Sequence, residues 1–281
     1  MKNSSKIMPI INKENGMTGL TSQLVTYKQM TEPVYEKWLE EMKEENYHNR
    51  KQWEYVFILQ ALKEHGMLRE GKRGLGFGVG SEPIAAVLAK YGVEIVATEI
   101  NIEKKNDRGW IKGRDVASEL QTLNRWGICD TEKFHRLVSF KDVDMNYIPE
   151  DLWDFDFNWS SCALEHLGNM DLCTEFIFKS LETLKPGGVA VHTTEFTLAK
   201  KLTVKEGFTI FFRESDIREI ERRLTAEGHK ITVNFHKGNT IHDWMIDIPP
   251  YKKENHIKLL ISKHWKLLVA TSLGLIIQKK S

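Results

Sequence analysis

The chain has 281 residues, with 40 Lys+Arg against 39 Asp+Glu for a net charge of +1, so no global field draws it to a polyanion or an anionic membrane, and nucleic acid is not expected as its substrate. Its three cysteines, Cys129, Cys162 and Cys173, include no C-x-x-C pair; this argues against a disulfide framework and a cysteine-rich zinc site, and fits a reducing compartment. At this length one elaborated α/β domain is the simpler arrangement.

The opening stretch MKNSSKIMPIINKENG has no apolar segment of secretory length, and the longest apolar run, LLVATSLGLII, is too short to span a bilayer. A soluble, cytoplasmic protein without a transmembrane segment is expected. Residues 1–30 are polar and aperiodic, which predicts a partly ordered arm. In 31–70, Tyr35, Trp38, Leu39 and Met42 follow helical spacing, and RKQWEYVFILQALKEHG reads as a mostly buried helix stopped by Gly66. These two helices form an N-terminal cap, with Trp53 and Tyr55 as candidate lid residues whose simpler role is packing.

The third segment, 71–281, opens on GLGFGVGSEP. Four alternating glycines are expected only where φ is positive or where a ligand or another backbone comes close. A helix follows, with Ser81 as its expected cap and Ile84, Val87, Leu88 and Tyr91 on one face, and then the β-rich VEIVATE. Strand, glycine turn, helix and strand make a βαβ unit. RLVSF, WDFDFNW and GVAVHTT continue it as short apolar strands, with a helix from Asp171 to Leu184 before KPGG. A helix over Asp216–Glu227 leads to ITVNF as a sixth strand, and KLLVATSLGLIIQ is expected beside it as the seventh. Residues 236–264, between those strands, are an expected acceptor-side insertion. The fold class is therefore a Rossmann-like α/β arrangement: a seven-stranded, mostly parallel sheet with helices on both faces, an antiparallel last strand and added N-terminal helices.

No frame of the glycine stretch supplies G-x-G-x-x-G, so a nicotinamide-dependent reductase is disfavoured. The pattern Gly76, Gly78, Gly80 instead resembles the loop of class I S-adenosylmethionine-dependent methyltransferases. Glu99, nineteen residues on, ends a strand where a carboxylate can accept both ribose hydroxyls. Asp144 in DVDMNYIP resembles the acidic position beside adenine, and FDFNWSSCALEHL and LETLKPGGVAVH resemble the later motifs, so the likeness runs over about 70–195. It implies S-adenosyl-L-methionine as cofactor, held by Gly76, Phe77, Gly78, Gly80, Glu99, Asp144, Met145 and Ser161. One departure is Gly74, which stands where the family commonly has an acid. RKQWEYVFILQAL, RGLGFGVGSEP, WSSCALEHLG, GGVAVHTTEF and DIPPY together look like a bacterial subgroup associated with surface-polysaccharide biosynthesis, which implies a sugar hydroxyl as acceptor.

A hydroxyl acceptor needs a general base or an acidifying metal ion. Candidates at the carboxyl ends of strands are His192, Glu195, Glu165, His166 and His242, with Glu195, His242 and Asp243 as a candidate metal set. The Pro-Pro-Tyr of DIPPY does not follow the fourth strand, so no nucleic-acid function is carried over from it. Trp159, Trp244 and Tyr251 are candidate stacking surfaces for a sugar. An N- or phenol-directed methyltransferase, a non-catalytic cofactor-binding subunit and a homo-oligomer stay open.

Overall fold

The computed structural model describes residues 14, 16–100, 120–263 and 266–281. Its described strands are β1 (Ser22–Leu24), β2 (Arg73–Phe77), β3 (Glu94–Glu99), β4 (Val138–Asp142), β5 (Phe155–Ser161), β6 (Leu184–Thr197), β7 (Val233–Asn234), β8 (Leu259–Lys263) and β9 (Lys266–Gln278). They form one sheet in the order β4-β3-β2-β5-β6-β9-β1-β7, with β8 paired to β9. Pairs among β2 to β6 are parallel, while β9 is antiparallel to β6, β8 and β1. The mostly parallel sheet with an antiparallel closing strand is the expected architecture.

Two helical layers cover it. Helices α2 (Pro33–Met42), α3 (Arg50–Glu64), α4 (Ile84–Lys90) and α5 (Thr131–Leu137) share one buried cluster with Phe157 and Trp159. Helices α6 (Met170–Glu182) and α7 (Glu214–Ala226) share the other with Leu75, Phe77 and Phe155. β5 feeds large aromatics to both layers: Phe157 and Trp159, two apart in the strand's alternation, share the first, while Phe155, across the register irregularity between Phe155 and Phe157, faces the second.

That alternation explains part of the glycine pattern. Gly74 pairs with Phe157 and Gly76 with Trp159 in the β2–β5 register. A Cβ on Gly76 would sit 2.5 Å from the Trp159 ring, and one on Gly74 would overlap the Phe157 ring. Both glycines leave room for neighbouring aromatics, so the close approach here is made by protein.

In the N-terminal arm, expected to be partly ordered, Ser22, Gln23 and Leu24 are buried and hydrogen-bonded between β9 and β7, while residues 1–13 and 15 lie outside the described residues. Three expectations change. The sixth strand is only two residues long and pairs with β1, so the last strand lies beside β1 and β6. The described sheet accordingly has nine strands, the extra two being β1 and β8. The predicted cap at Ser81 gives way to Pro83, which opens α4 without a side-chain cap.

Helix α3 is a sheet-covering element. Gly274 of β9 lets the Phe57 ring lie on the strand where any Cβ would overlap it. Trp53 is fully buried, stacks on Phe57 and donates its Nε1–H to Gln29 Oε1 at 2.6 Å. Packing, and not a lid, is what Trp53 does. Short helices α1 (Tyr27–Met30) and α8 (Ile241–Trp244) complete the described set.

Candidate active site

The crevice lies beyond the carboxyl ends of β2, β3, β5 and β6, where open α/β sheets bind ligands. On its glycine side, β2 runs into Gly78 and Gly80, with φ of 60° and 52°. Only a residue without Cβ holds that conformation cheaply. The loop is tied to β3: Val79 N–H donates to Thr98 O at 3.2 Å and Gly80 N–H to Glu99 Oε2 at 3.0 Å. Glu99 Oε1 accepts from Ile100 N–H at 2.9 Å, so its carboxylate is fixed at the loop while retaining acceptor capacity.

Gly78 faces Ala163 and Met145, its absent Cβ being 2.7 Å from Ala163 Cβ and 3.2 Å from Met145 Sδ. Asp144 sits beside Met145 in a turn joined to Glu99 through Val143 N–H to Glu99 O at 3.0 Å, and its Oδ1 accepts from Asn146 N–H. The structure thus gathers Gly78, Gly80, Glu99, Asp144 and Met145. Gly76 and Phe77 lie further down the strand; the Phe77 side chain is buried edge-on against Phe176, so only its backbone can reach a ligand.

A residue absent from the sequence expectations joins this side. Glu82, two residues past the loop, is buried and accepts from Trp159 Nε1–H at 2.6 Å, while burial pushes its carboxyl up to about 8. Its sequence signal was an acid placed directly after the glycines.

The opposite wall is a buried network of charges. Arg50 at the start of α3 pairs with Glu195 of β6 at 2.6 Å and with Glu54 at 3.4 Å. Lys51 Nζ is 3.1 Å from Glu54, which also accepts from Ser272 Oγ of β9 at 2.5 Å and from Ser161 Oγ of β5 at 3.4 Å. Burial alone would raise the Glu54 carboxyl, but Lys51 and Arg50 hold it below its ordinary value. Of the expected residues, Ser161 and Glu195 belong to this network. Arg50, Lys51, Glu54 and Ser272 were missed, although an acid inside the apolar run WEYVFIL was itself a signal.

Glu165 completes the wall. It follows β5 in a short 3-10 turn, is fully buried, and accepts from Thr194 Oγ1 on Oε2 at 3.2 Å. Its Oε1 has no hydrogen-bond partner, and neither has Glu195 Oε2. Ligand-capable atoms of Cys162, Glu165 and Glu195 lie within 4.8 Å of one another. Burial, reinforced by Glu195, drives the Glu165 carboxyl upward. Cys162, which follows β5, has a φ of 46°, a strained conformation for a residue with Cβ. His166 stands at the mouth, its Nδ1 2.7 Å from Phe208 O.

Two expectations are corrected. His192 is fully buried, with Nδ1 2.9 Å from Ser160 Oγ and Nε2 3.1 Å from Ser180 Oγ, and burial pushes it down to about 3. With both nitrogens engaged inside the α6 layer, it is a core histidine and not a base in the crevice. The Glu195, His242 and Asp243 set is not assembled either. His242 stacks on Tyr27 at 4.0 Å. Asp243 accepts from Tyr27 N–H, Thr240 N–H and Thr240 Oγ1, so its oxygens cap local backbone. Trp159 is likewise core, whereas Trp244 and Tyr251 are exposed.

Lys51 and Tyr55 also line a cleft of about 550 Å³ with Tyr47, Gln52, Trp126 and Lys253. A larger groove of about 690 Å³ between α6 and α7 contains none of the crevice residues.

No family model matches the chain, and no curated protein matches it. Among solved structures, the chain is similar to a magnesium protoporphyrin IX methyltransferase from Synechocystis with bound SAH, at 12% identity and TM-score 0.46, covering 89% of this chain and 96% of that one. A putative sarcosine dimethylglycine methyltransferase from Galdieria sulphuraria gives 14% and 0.44, covering 89% and 99%. A SAM-dependent methyltransferase from Methanosarcina mazei gives 15% and 0.45, covering 78% and 97%. These likenesses are remote; the chemistry below rests on the crevice itself.

Proposed function

We propose that the chain is an S-adenosylmethionine-dependent methyltransferase acting on an alkyl hydroxyl, with a sugar in a glycan or glycan precursor as the acceptor class. The observation that carries this reading is the pairing of two walls. A positive-φ glycine loop tied to Glu99 follows β2, and beyond the neighbouring strand β5 lies a buried carboxyl, Glu165, whose Oε1 has no hydrogen-bond partner and stands 4.0 Å from His166 Nε2.

When bound, the cofactor would supply an electrophilic methyl group, and a hydroxyl acceptor that takes it must give up a proton. Gly78 and Gly80 would present their backbone to its amino-acid end, Glu99 would offer acceptors to vicinal hydroxyls, and Asp144 with Met145 would flank the base side. Glu165 is the group suited to take the acceptor's proton: buried, without a hydrogen bond at Oε1, and more basic than an exposed carboxylate. A positive charge brought beside it favours its ionised form. Glu195, clamped by Arg50, holds its place in the network. No catalytic step requires His192. The sugar assignment rests on the sequence resemblance alone.

Calorimetry with S-adenosylhomocysteine and turnover on a panel of labelled sugar-nucleotide and oligosaccharide acceptors test the two walls separately. Glu99→Ala should weaken cofactor-product binding by on the order of 1.5–3 kcal/mol. Glu165→Gln should leave that binding intact and lower turnover by roughly 10²–10⁴-fold. Absence of binding by the unaltered protein would overturn the cofactor assignment. Full turnover by Glu165→Gln would instead favour an amine or phenol acceptor, which needs little help from a base.

A further inference from the structure

At the carboxyl end of the parallel strands, three segments lie side by side across the sheet. The loop after β6 is joined to β9 by Leu198 N–H to Val269 O at 2.9 Å. Next to β9 comes β8, with Leu259 opposite Ala270. Beyond β8 runs the 241–251 segment, bonded through Leu260 N–H to Asp247 O and Asp247 N–H to Lys258 O, both at 2.8 Å. This end carries Leu202, Phe208, Ile241, Trp244, Met245, Ile246, Ile248, Tyr251 and Leu267, nine of the thirteen large apolar side chains exposed among the described residues. Ile241 is 75% exposed and Trp244 62%.

Single exposed apolar residues need no explanation, but a concentration of this kind marks an interaction surface. The charges around it point to the partner. Lys200, Lys201, Lys205, Lys252 and Lys253 are exposed on the same segments, against the exposed acids Glu206 and Glu254. The two aspartates of the 241–251 segment point inward: Asp243 caps Thr240 and Tyr27, and Asp247 accepts from His256 and Lys252 N–H. Aliphatic side chains with Trp and Tyr among exposed lysines match the interface of an anionic bilayer. The overall charge near zero does not oppose this, since attraction to headgroups acts within a Debye length.

We infer that this end of the molecule docks on an anionic lipid surface, with the 241–251 segment and the loop after β6 entering the headgroup region. Phe208, on that loop, lies 5.1 Å from the His166 ring at the mouth of the crevice. Docking there turns the mouth toward the membrane. The inference rests on the surface and not on the methyl-transfer reading.

The test is cosedimentation of the full chain with phosphatidylglycerol vesicles and with phosphatidylcholine vesicles, at low and high salt. Sedimentation equilibrium without lipid accompanies it. Expected is binding to the anionic vesicles that weakens at least about tenfold between low and high salt. Ile246→Ser/Ile248→Ser and Lys200→Glu/Lys201→Glu should each lose most of it while melting temperature stays unchanged. No binding at low salt overturns the inference, as does equal, salt-insensitive binding to both lipids. So does binding retained by both variants at full melting temperature. A dimer dissolved by the Ile variant, without vesicle binding, would make the patch a self-interface and also overturn it.

Discussion

The two walls of the crevice are drawn from different distances along the chain. The glycine wall is local: Gly78, Gly80, Glu82 and Glu99 come from one strand–loop–helix–strand unit, and their geometry is fixed by backbone hydrogen bonds such as Gly80 N–H to Glu99 Oε2. The charged wall is assembled by the fold, since Arg50 reaches Ser272 Oγ 222 residues away at 3.1 Å, and Glu54 meets Ser161 across 107. One wall is held by conformation that glycine permits; the other is held by ion pairs whose partners must all arrive. The first should fail by steric overlap, and the second by leaving a charge alone.

The largest effect is expected on the charged wall. Glu54→Gln removes the carboxylate that Arg50, Lys51, Ser161 and Ser272 share. Arg50 keeps Glu195, but Lys51 loses its only described ion-pair partner. Breaking a buried pair on one side costs about 3–5 kcal/mol; Lys51, 44% exposed along its side chain, can turn outward, which places the loss toward the lower figure. Urea denaturation of the apo protein measures it. A loss below about 1 kcal/mol, the size of a surface pair, would mean that the network is solvated.

On the glycine wall, Gly76→Ala should destabilise the protein without any ligand. Its Cβ would come 2.5 Å from Trp159 Cζ2 and 2.6 Å from Val79 Cγ1, and the indole is pinned by its bond to Glu82. Overpacking of this kind costs typically about 1–3 kcal/mol. If the variant instead keeps its apo stability and loses only S-adenosylhomocysteine binding, Gly76 is a ligand position after all.

These contrasts explain what the sequence disclosed. The βαβ unit, the parallel strands and the local wall, Glu82 apart, were legible because spacing along the chain is spacing in space within one unit. Alternating glycines looked like a ligand signature, yet half the pattern, Gly74 and Gly76, serves Phe157 and Trp159, whose register with β2 is invisible until β5 is paired. In the partly ordered arm the sequence shows no strand, because three residues are too few for a periodic signal; Ser22–Leu24 become one only when β9 and β7 flank them. Glu165 was placed correctly beyond β5, but its isolation as a buried acid, and the Arg50–Glu195 clamp, depend on how α3 lies on the sheet.

His192 offers the smallest effect and separates core from crevice by pH. Its folded value is lowered to about 3, against 6.5 unfolded, because burial disfavours the charged ring. Between those values the unfolded chain binds a proton that the folded protein does not. Its contribution to stability is therefore fully present above about pH 6.5 and is lost progressively as pH falls toward 3, by up to about 1.4 kcal/mol per pH unit. Replacement by Gln removes that proton from the balance, so the stability of His192→Gln should fall less steeply between pH 6 and 4 (roughly one proton less). Its turnover at neutral pH should be close to that of the unaltered protein. A parallel acid profile for both proteins, together with lost turnover, would put His192 back among the groups that exchange protons with the acceptor.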